Sequence, residues 1–326
     1  MGLVGCSDAS ESSEPIDSAK DSALASTADD QSEIVQRFVT LSPAIGVMLR
    51  DLGFEDSIVG RHSYDMALSK TIPAVGSHID IDYELLISLE PTAIYIERTS
   101  VAIPGKLMEL ADEFGWRVIS YELKTLDDIA MTLDDLYLKL VGFGDEPKTA
   151  DEMFNFDIDP TKKFDMDFPS ARLASAWSPM GAAASKAGRV LVLAGIDPPG
   201  AMGPGSFHGQ LIERMGLTPA IVEGGMWQEF DHEDLINLAP NSILVFAPES
   251  ESNDPNAFDP NALIGEPTAM GWDEIVERLG SIADLPIPAI EHRRVAIVTH
   301  PLGLLPSSSF GQVADEVRRA VEGWGE

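Results

Sequence analysis

Apolar residues along the chain alternate between two spacings, and the alternation sets out the elements. RFVTLS (37–42) is a short apolar run of the kind that forms a buried strand. In PAIGVMLRDLGF (43–54) the apolar positions Ile45, Met48, Leu49 and Leu52 follow helical spacing, and Gly53 stops the helix. DSIVGR reads as a second strand. HSYDMALSKTIPAVGSHIDID (62–82) is polar, carries glycine and proline, and reads as loop. DYELLISLE predicts a helix ended by Pro91, and TAIYIE a strand. A helix around 104–114, a strand in WRVISY and a long helix at 125–141 follow. Strands alternating with helices predict an α/β fold with a mostly parallel sheet flanked by helices. Residues 143–187 break the rhythm with Pro147, Pro160, Pro169, Pro179 and the charged run NFDIDPTKKFDMDF. RVLVLAG (189–195) restarts it. A Gly/Pro loop, DPPGAMGPGSFHG, leads into the helix QLIERMGL, a strand AIVE, a loop with Trp227, the helix HEDLINLA and the strand SILVFAP. A helix at 272–280, the strand RVAIVTH and a helix at 311–323 complete the pattern.

The two halves match in order. ELLISLEPTAIYI begins at Glu84, and EDLINLAPNSILV begins 149 residues later at Glu233 (233 − 84). RFVTLS matches RVLVLAG, and GVMLRDLGF (46–54) matches GQLIERMGL (209–217). Three segments in register predict two similar lobes joined by a linker, with a cleft between them. The expected organisation is a tether over 1–34, an N-terminal lobe over 35–142, an interdomain linker over 143–187 and a C-terminal lobe over 188–326.

Charge narrows the partners. The 326 residues carry a formal charge of −32, and 44% are hydrophobic, enough for a sizeable core. The first 34 residues hold eight acids against Lys20, or −7, which leaves −25 for the rest. Such a surface repels phosphate backbones and anionic membranes, so nucleic acid is not an expected partner. Cys6 is the only cysteine, so no internal disulfide forms. It closes LVGC (3–6), which resembles a bacterial lipobox, and the Ser/Ala/acid-rich stretch after it has the composition of a disordered tether. Lipidation at Cys6 and an extracytoplasmic, membrane-anchored location are therefore expected.

In a parallel sheet, ligands sit beyond the carboxyl ends of the strands. The loops there carry Ser42; Arg61, His62 and Tyr64; Ser77 and His78; Glu97, Arg98 and Thr99. In the second half they carry Phe207 and His208, Trp227 and His300. Four of the six histidines fall in these loops. Histidine is both a metal ligand and a switch near neutral pH. Each also has a plain reading as a loop residue bonded to backbone. Arg61 and Arg98 would favour carboxylate or phosphate on a ligand, or pair with neighbouring acids. Tyr64, Phe207 and Trp227 could stack on a flat ligand, or pack at a core rim. No short zinc spacing is present, so no bare-metal site is assigned.

VTLSPAIGVMLRDLGFEDSIVGR, IPAVGSHIDIDYELLISLEPTAIYI and GPGSFHGQLIERMG resemble the substrate-binding proteins of bacterial ABC importers for iron chelates, haem and cobalamin. The resemblance covers about 37–325. It implies two lobes bridged by a long helix, no catalysis and no intrinsic cofactor. The implied cargo is an iron siderophore, haem or cobalamin, bound by Ser42, Arg61, His62, Tyr64, His78, Arg98, Phe207, His208, Trp227 and His300. It also implies delivery by a monomer to a permease in the cytoplasmic membrane, docked through Glu84 and Glu233, one acid per lobe. The proline-containing insert around 154–169 departs from an uninterrupted linker helix. The alternative is an NAD(P)-binding oxidoreductase, suggested by G-x-G-x-x-x-G at 203–209 and by Glu223. About seven residues separate these glycines from the preceding strand, where the dinucleotide motif needs a tight turn.

Overall fold

Phe38–Thr40 (β1) is the central strand of the first of two sheets, buried along its whole length. The computed structural model describes residues 36–140, 168–248 and 270–324, which belong to one compact unit beginning at Gln36. β1 feeds α1 (Pro43–Asp51), with Ser42 as N-cap and Pro43 in the first turn, where its missing N–H leaves no bond unmade. β2 (Ile58–His62), β3 (Ala74–Gly76), α2 (Tyr83–Ser88), β4 (Ala93–Glu97), α3 (Gly105–Phe114) and β5 (Arg117–Tyr121) follow. The sheet runs β3-β2-β1-β4-β5, and every pairing is parallel. The stretch 62–82 is thus not all loop. Val75 is fully buried with Leu41, Ile81 and Leu86, and this one apolar side chain in a polar setting draws β3 into the sheet.

The long helix α4 (Leu126–Leu140) lies on α5 (Pro169–Ala176), which in turn packs on the closing helix α11 (Phe310–Gly323). Leu126, Ile129, Leu133 and Leu136 share one core with Leu173, Trp177, Phe310, Val313 and Val317. That core reaches both sheets, through Phe38 and Tyr95 on one side and Val190 and Phe246 on the other. The expected linker falls partly outside the described residues. Its described part is not one helix: α5 ends at Ala176 and α6 (Ala182–Ala187) follows, with Pro179 and the positive-φ Gly181 between them.

The second sheet runs β11-β10-β6-β7-β9, with β8 also paired to β6. Its parallel part is β6 (Arg189–Ile196), β8 (Thr218–Pro219), β10 (Ser242–Phe246) and β11 (Val295–Val298). The expected strand AIVE is not one, since pairing stops at Pro219. The Gly/Pro loop instead folds into β7 (Pro199–Met202), antiparallel to β6, and β9 (Trp227–Glu229) pairs with it. Gly200 makes this edge feasible, because a Cβ there would lie 2.2 Å from the Trp227 ring. Since β7 directly follows β6, no strand-to-helix turn of the dinucleotide kind exists, and Gly203–Gly209 leads into α7 (Phe207–Arg214) from β7. The remaining helices are α8 (His232–Leu238), α9 (Trp272–Leu279) and α10 (Pro288–Glu291).

Candidate functional site

The loops after β1, β2 and β11 meet. Val47 of α1 and Ala67 are buried against Leu302, with Leu305 packed alongside. The Ser308 hydroxyl donates to Asp51 Oδ2 at 2.6 Å across the same seam. The carboxyl ends of the two sheets are thereby held towards one another, and the first sheet assembles a polar group at its own carboxyl end.

Ser42, 1% exposed, accepts the Ile45 N–H at 3.4 Å and donates to Glu97 Oε2 at 3.2 Å. Glu97 ends β4, and burial raises its pKa, offset in part by Ser42 and by nearby His78. His62 ends β2, and its Nδ1 accepts the Tyr64 N–H at 3.0 Å. Burial lowers the His62 pKa, and the charges of His78 and Arg61 lower it further. His78 thus lies within electrostatic reach of both His62 and Glu97. Tyr64 stands 5.7 Å from His62, ring to ring, and is 80% exposed. Met66, Ile79 and Val101, in the loops after β2, β3 and β4, are also exposed and give this end an apolar rim. Ser42, His62, Tyr64 and His78 are thus brought together. Glu97, noticed in the sequence only as a loop residue, is part of the same group.

Arg61 is turned inward. It is buried, its Nε donates to Ile72 O at 2.9 Å and an Nη to His62 O at 3.1 Å. The guanidinium pins the 62–73 loop from inside. Arg98 is exposed beyond β4 and its side chain makes no bond among the described residues. Asp65, which the sequence reading missed, shapes the same loop. It is fully buried, Oδ1 accepts the Ala67 and Leu68 N–H groups at 2.8 and 2.9 Å, and Oδ2 has no partner among the described residues. Burial raises its pKa against the lowering effect of those bonds and of Lys70 and Arg61. Asp-x-x in a polar loop is the signal that could have found it, since Asp readily caps backbone N–H groups two and three residues on.

On the second sheet the expected site residues are mostly structural. His208 is fully buried among Phe207, Phe246 and Phe310, with ring centroids 4.3 to 5.2 Å away. Its Nε2–H donates to Gly303 O at 2.8 Å, and Nδ1 has no partner among the described residues. Desolvation pulls its pKa down to about 4. His208 is therefore a core residue that ties α7 to the loop after β11, and Phe207 packs edge-on against Phe310 beside it. His300 is buried as well: Nδ1 accepts the Leu302 N–H at 3.1 Å and Nε2–H donates to Gln312 Oε1 at 2.9 Å. Both nitrogens are engaged in shaping the loop. Trp227, half exposed, stands on edge strand β9 opposite Met202 and is not part of the His–Tyr group. A void of about 10 Å³ lined by Val192, Met202 and Ile212, among others, is apart from this group and has room for no more than a water.

Glu84 and Glu233 are exposed and occupy matching places. Each is the second residue of its helix, after an Asp N-cap: Asp82 accepts the Leu85 N–H, and Asp231 the Asp234 N–H. Asp82 N donates to Val75 O near the carboxyl end of β3, and Phe230 N to Pro199 O, which lies opposite Ile196 at the end of β6. Both glutamates therefore start helices at the carboxyl side of their sheets. Cys6 lies outside the described residues. Among the described residues, no group of three or more His, Cys, Asp or Glu could hold a bare metal ion, and no helix is long and apolar enough to cross a membrane.

No protein-family model and no curated protein matches the chain. Solved structures do. The chain is similar to the periplasmic heme binding protein HutB of Vibrio cholerae, at 16% identity and a TM-score of 0.59 over 87% of this chain and 98% of that one. It is similar to the siderophore binding protein FhuD of Vibrio cholerae, solved with Fe3+-Desferal, at 14% identity and a TM-score of 0.57 over 89% and 99%. It is also similar to the periplasmic vitamin B12 binding protein BtuF of Vibrio cholerae, at 15% identity and a TM-score of 0.54 over 89% and 98%. The chain thus has the two-lobed α/β fold of periplasmic binding proteins.

Proposed function

We propose that the protein is the substrate-binding component of an ABC importer, which captures a metal complex outside the cytoplasm and passes it to a permease. The observation that carries this reading is fold identity over nearly the whole length of proteins named for haem, a ferric siderophore and vitamin B12. The cargo site is the group Ser42, His62, Tyr64, His78 and Glu97, with Arg98 at its rim. Its place supports the assignment: it stands at the carboxyl end of a parallel sheet, where such folds bind ligands. Glu84 and Glu233 dock the loaded protein on the permease. Two exposed carboxylates on matched rigid helices give a two-point, charge-assisted contact that reads the spacing of the lobes. A lipid on Cys6 holds the protein at the membrane through the tether of residues 1–34. The protein binds and releases its cargo and transforms nothing; the antiparallel β7 between β6 and α7 speaks against a nicotinamide site.

The test is titration of the purified protein with hemin, ferrioxamine B and cyanocobalamin, with NADH as control. Stoichiometric binding of at least one metal complex, and none of NADH, is expected. A paired Glu84→Lys and Glu233→Lys variant should keep that affinity and lose uptake in cells. A protein that binds none of the three complexes would sink the reading, and loss of affinity in the double variant would sink the docking role.

A further inference from the structure

Hydrogen bonds fix which histidine nitrogens carry protons, and so which one has a lone pair to offer a metal. A neutral imidazole has one N–H and one bare nitrogen. In His62 the bare nitrogen is Nδ1, because it accepts the Tyr64 N–H at 3.0 Å. The proton is then on Nε2, which is a donor and has no lone pair to offer a metal. In His300 the Leu302 N–H occupies Nδ1, and Nε2–H is committed to Gln312. In His208 the bare nitrogen is Nδ1, but the residue is wholly enclosed by aromatic rings. His232 and His292 are bonded to Ser281 and to Pro288 O, away from the site. Of the six histidines, His78 alone makes no hydrogen bond among the described residues, and it is partly exposed.

His78 is also held in place. It follows Ser77 at the head of a tight turn, in which Ser77 N donates to Asp80 O at 2.8 Å and the Ser77 hydroxyl oxygen accepts the Ile79 and Asp80 N–H groups at 3.3 and 3.2 Å. An isolated bridge between Gly76 and Ile81 closes the turn. Glu97, its position set by Ser42, lies within electrostatic reach of His78. A carboxylate within electrostatic reach of an imidazole ligand favours positive charge on the metal side of the ring.

We propose that His78 binds the metal of the cargo directly, that His62 meets the same cargo as an Nε2–H donor, and that the cargo is therefore a flat chelate with an exchangeable axial position. This rests on the importer reading above and narrows its cargo. One free imidazole cannot hold a bare ion, and a fully saturated hexadentate ferric chelate offers no position for it. Of the two arginines here, Arg61 is engaged with backbone carbonyls, and Arg98, exposed at the rim, is the cation left to meet acidic groups on the edge of the chelate. The exposed Tyr64, whose ring stands 5.7 Å from that of His62, and the exposed Ile79, next to His78 in the chain, suit an apolar planar face.

Hemin and ferrioxamine B titrations of the full chain, followed by visible absorption and electron paramagnetic resonance, decide it. Hemin should bind with an imidazole-type axial signature. His78→Ala should abolish that signature and weaken binding by about 10-fold or more, a loss that even an outer-shell partner can cause; added imidazole should restore the spectrum. His62→Ala should weaken binding while leaving the axial signature unchanged. The circular dichroism and melting temperature of His78→Ala should match those of the unaltered protein, because the side chain makes no bond. An unchanged signature in His78→Ala overturns the inference. Binding of ferrioxamine B or cyanocobalamin without hemin overturns it and leaves the importer reading standing; binding of no complex overturns both.

Discussion

Arg37 and Arg189 are the same residue of the fold in its two halves. Each stands at the start of the first strand of its sheet. Arg37 donates to Leu89 O at 2.7 and 3.0 Å and to Glu90 O at 3.3 Å, at the end of α2. Arg189 donates to Leu238 O at 2.6 Å and Ala239 O at 3.0 Å, at the end of α8. The backbone repeats the match: Thr92 N donates to Arg37 O, and Asn241 N to Arg189 O. In return Arg37 N donates to Thr92 Oγ1 at 3.0 Å and Arg189 N to Asn241 Oδ1 at 2.9 Å. Glu90 and Ala239 both adopt positive φ, +43° and +44°, and each precedes a proline. The internal repeat is thus preserved down to the capping of the helices that present Glu84 and Glu233.

Removal of either arginine side chain leaves the last carbonyls of a short helix without their partner. Arg37→Ala and Arg189→Ala should each cost about 1–2 kcal/mol, measured by urea denaturation. The smaller loss is expected at Arg189, the more exposed of the two. A null effect at both positions would show that the matched caps contribute nothing.

Gly76 tests the turn that carries His78. Its φ is +110°, and a Cβ there would lie 2.0 Å from Asp80 O. Gly76→Ala must open the turn or strain it, at a cost of about 1–3 kcal/mol. The melting temperature should fall, and affinity for the cargo should fall with it because His78 moves. A variant that melts lower but binds unchanged would separate the turn from the site.

His208 sets an acid limit on stability. Its folded pKa, about 4, lies below the ordinary histidine value near 6.5, because burial disfavours the cation. A depressed pKa favours the fold wherever the ring is neutral. That contribution is complete above about pH 6.5 and declines as pH falls towards the folded value. From the size of the shift, about 3 kcal/mol is at stake. His208→Gln, which keeps a donor for Gly303 O but does not titrate, should be less stable at neutral pH and show a shallower fall in melting temperature between pH 6.5 and 4. An unchanged slope would place the acid sensitivity elsewhere, with the partly buried Glu97 and the buried Asp65 excluded because their pKa values are raised.

Most of the elements were readable because each has a local cause. Spacing placed α1, α4 and α11; glycines and prolines placed their ends. The exceptions are informative. β3 depends on one buried valine, and β7 and β9 depend on Gly200 accepting the Trp227 ring; both are long-range contacts with no periodic signature. The site was readable as a set of loops, and Ser42, His62, Tyr64 and His78 do gather. Which residues face inward was not. Arg61, His208 and His300 carry the chemistry of a ligand site, yet each satisfies backbone or core instead.

The amino-acid order alone determined that the chain is α/β, that its halves repeat, and that two acids stand at matching helix starts. These follow from hydrophobic period, capping and turn chemistry, which act within a few residues. Tertiary structure decided the rest: which of the four loop histidines is left partly exposed and unbonded among the described residues, that Glu97 joins Ser42, and that His208 and His300 are buried and bonded. Proton placement on an imidazole depends on which backbone N–H or carbonyl arrives beside it, and that neighbour can come from any distance along the chain.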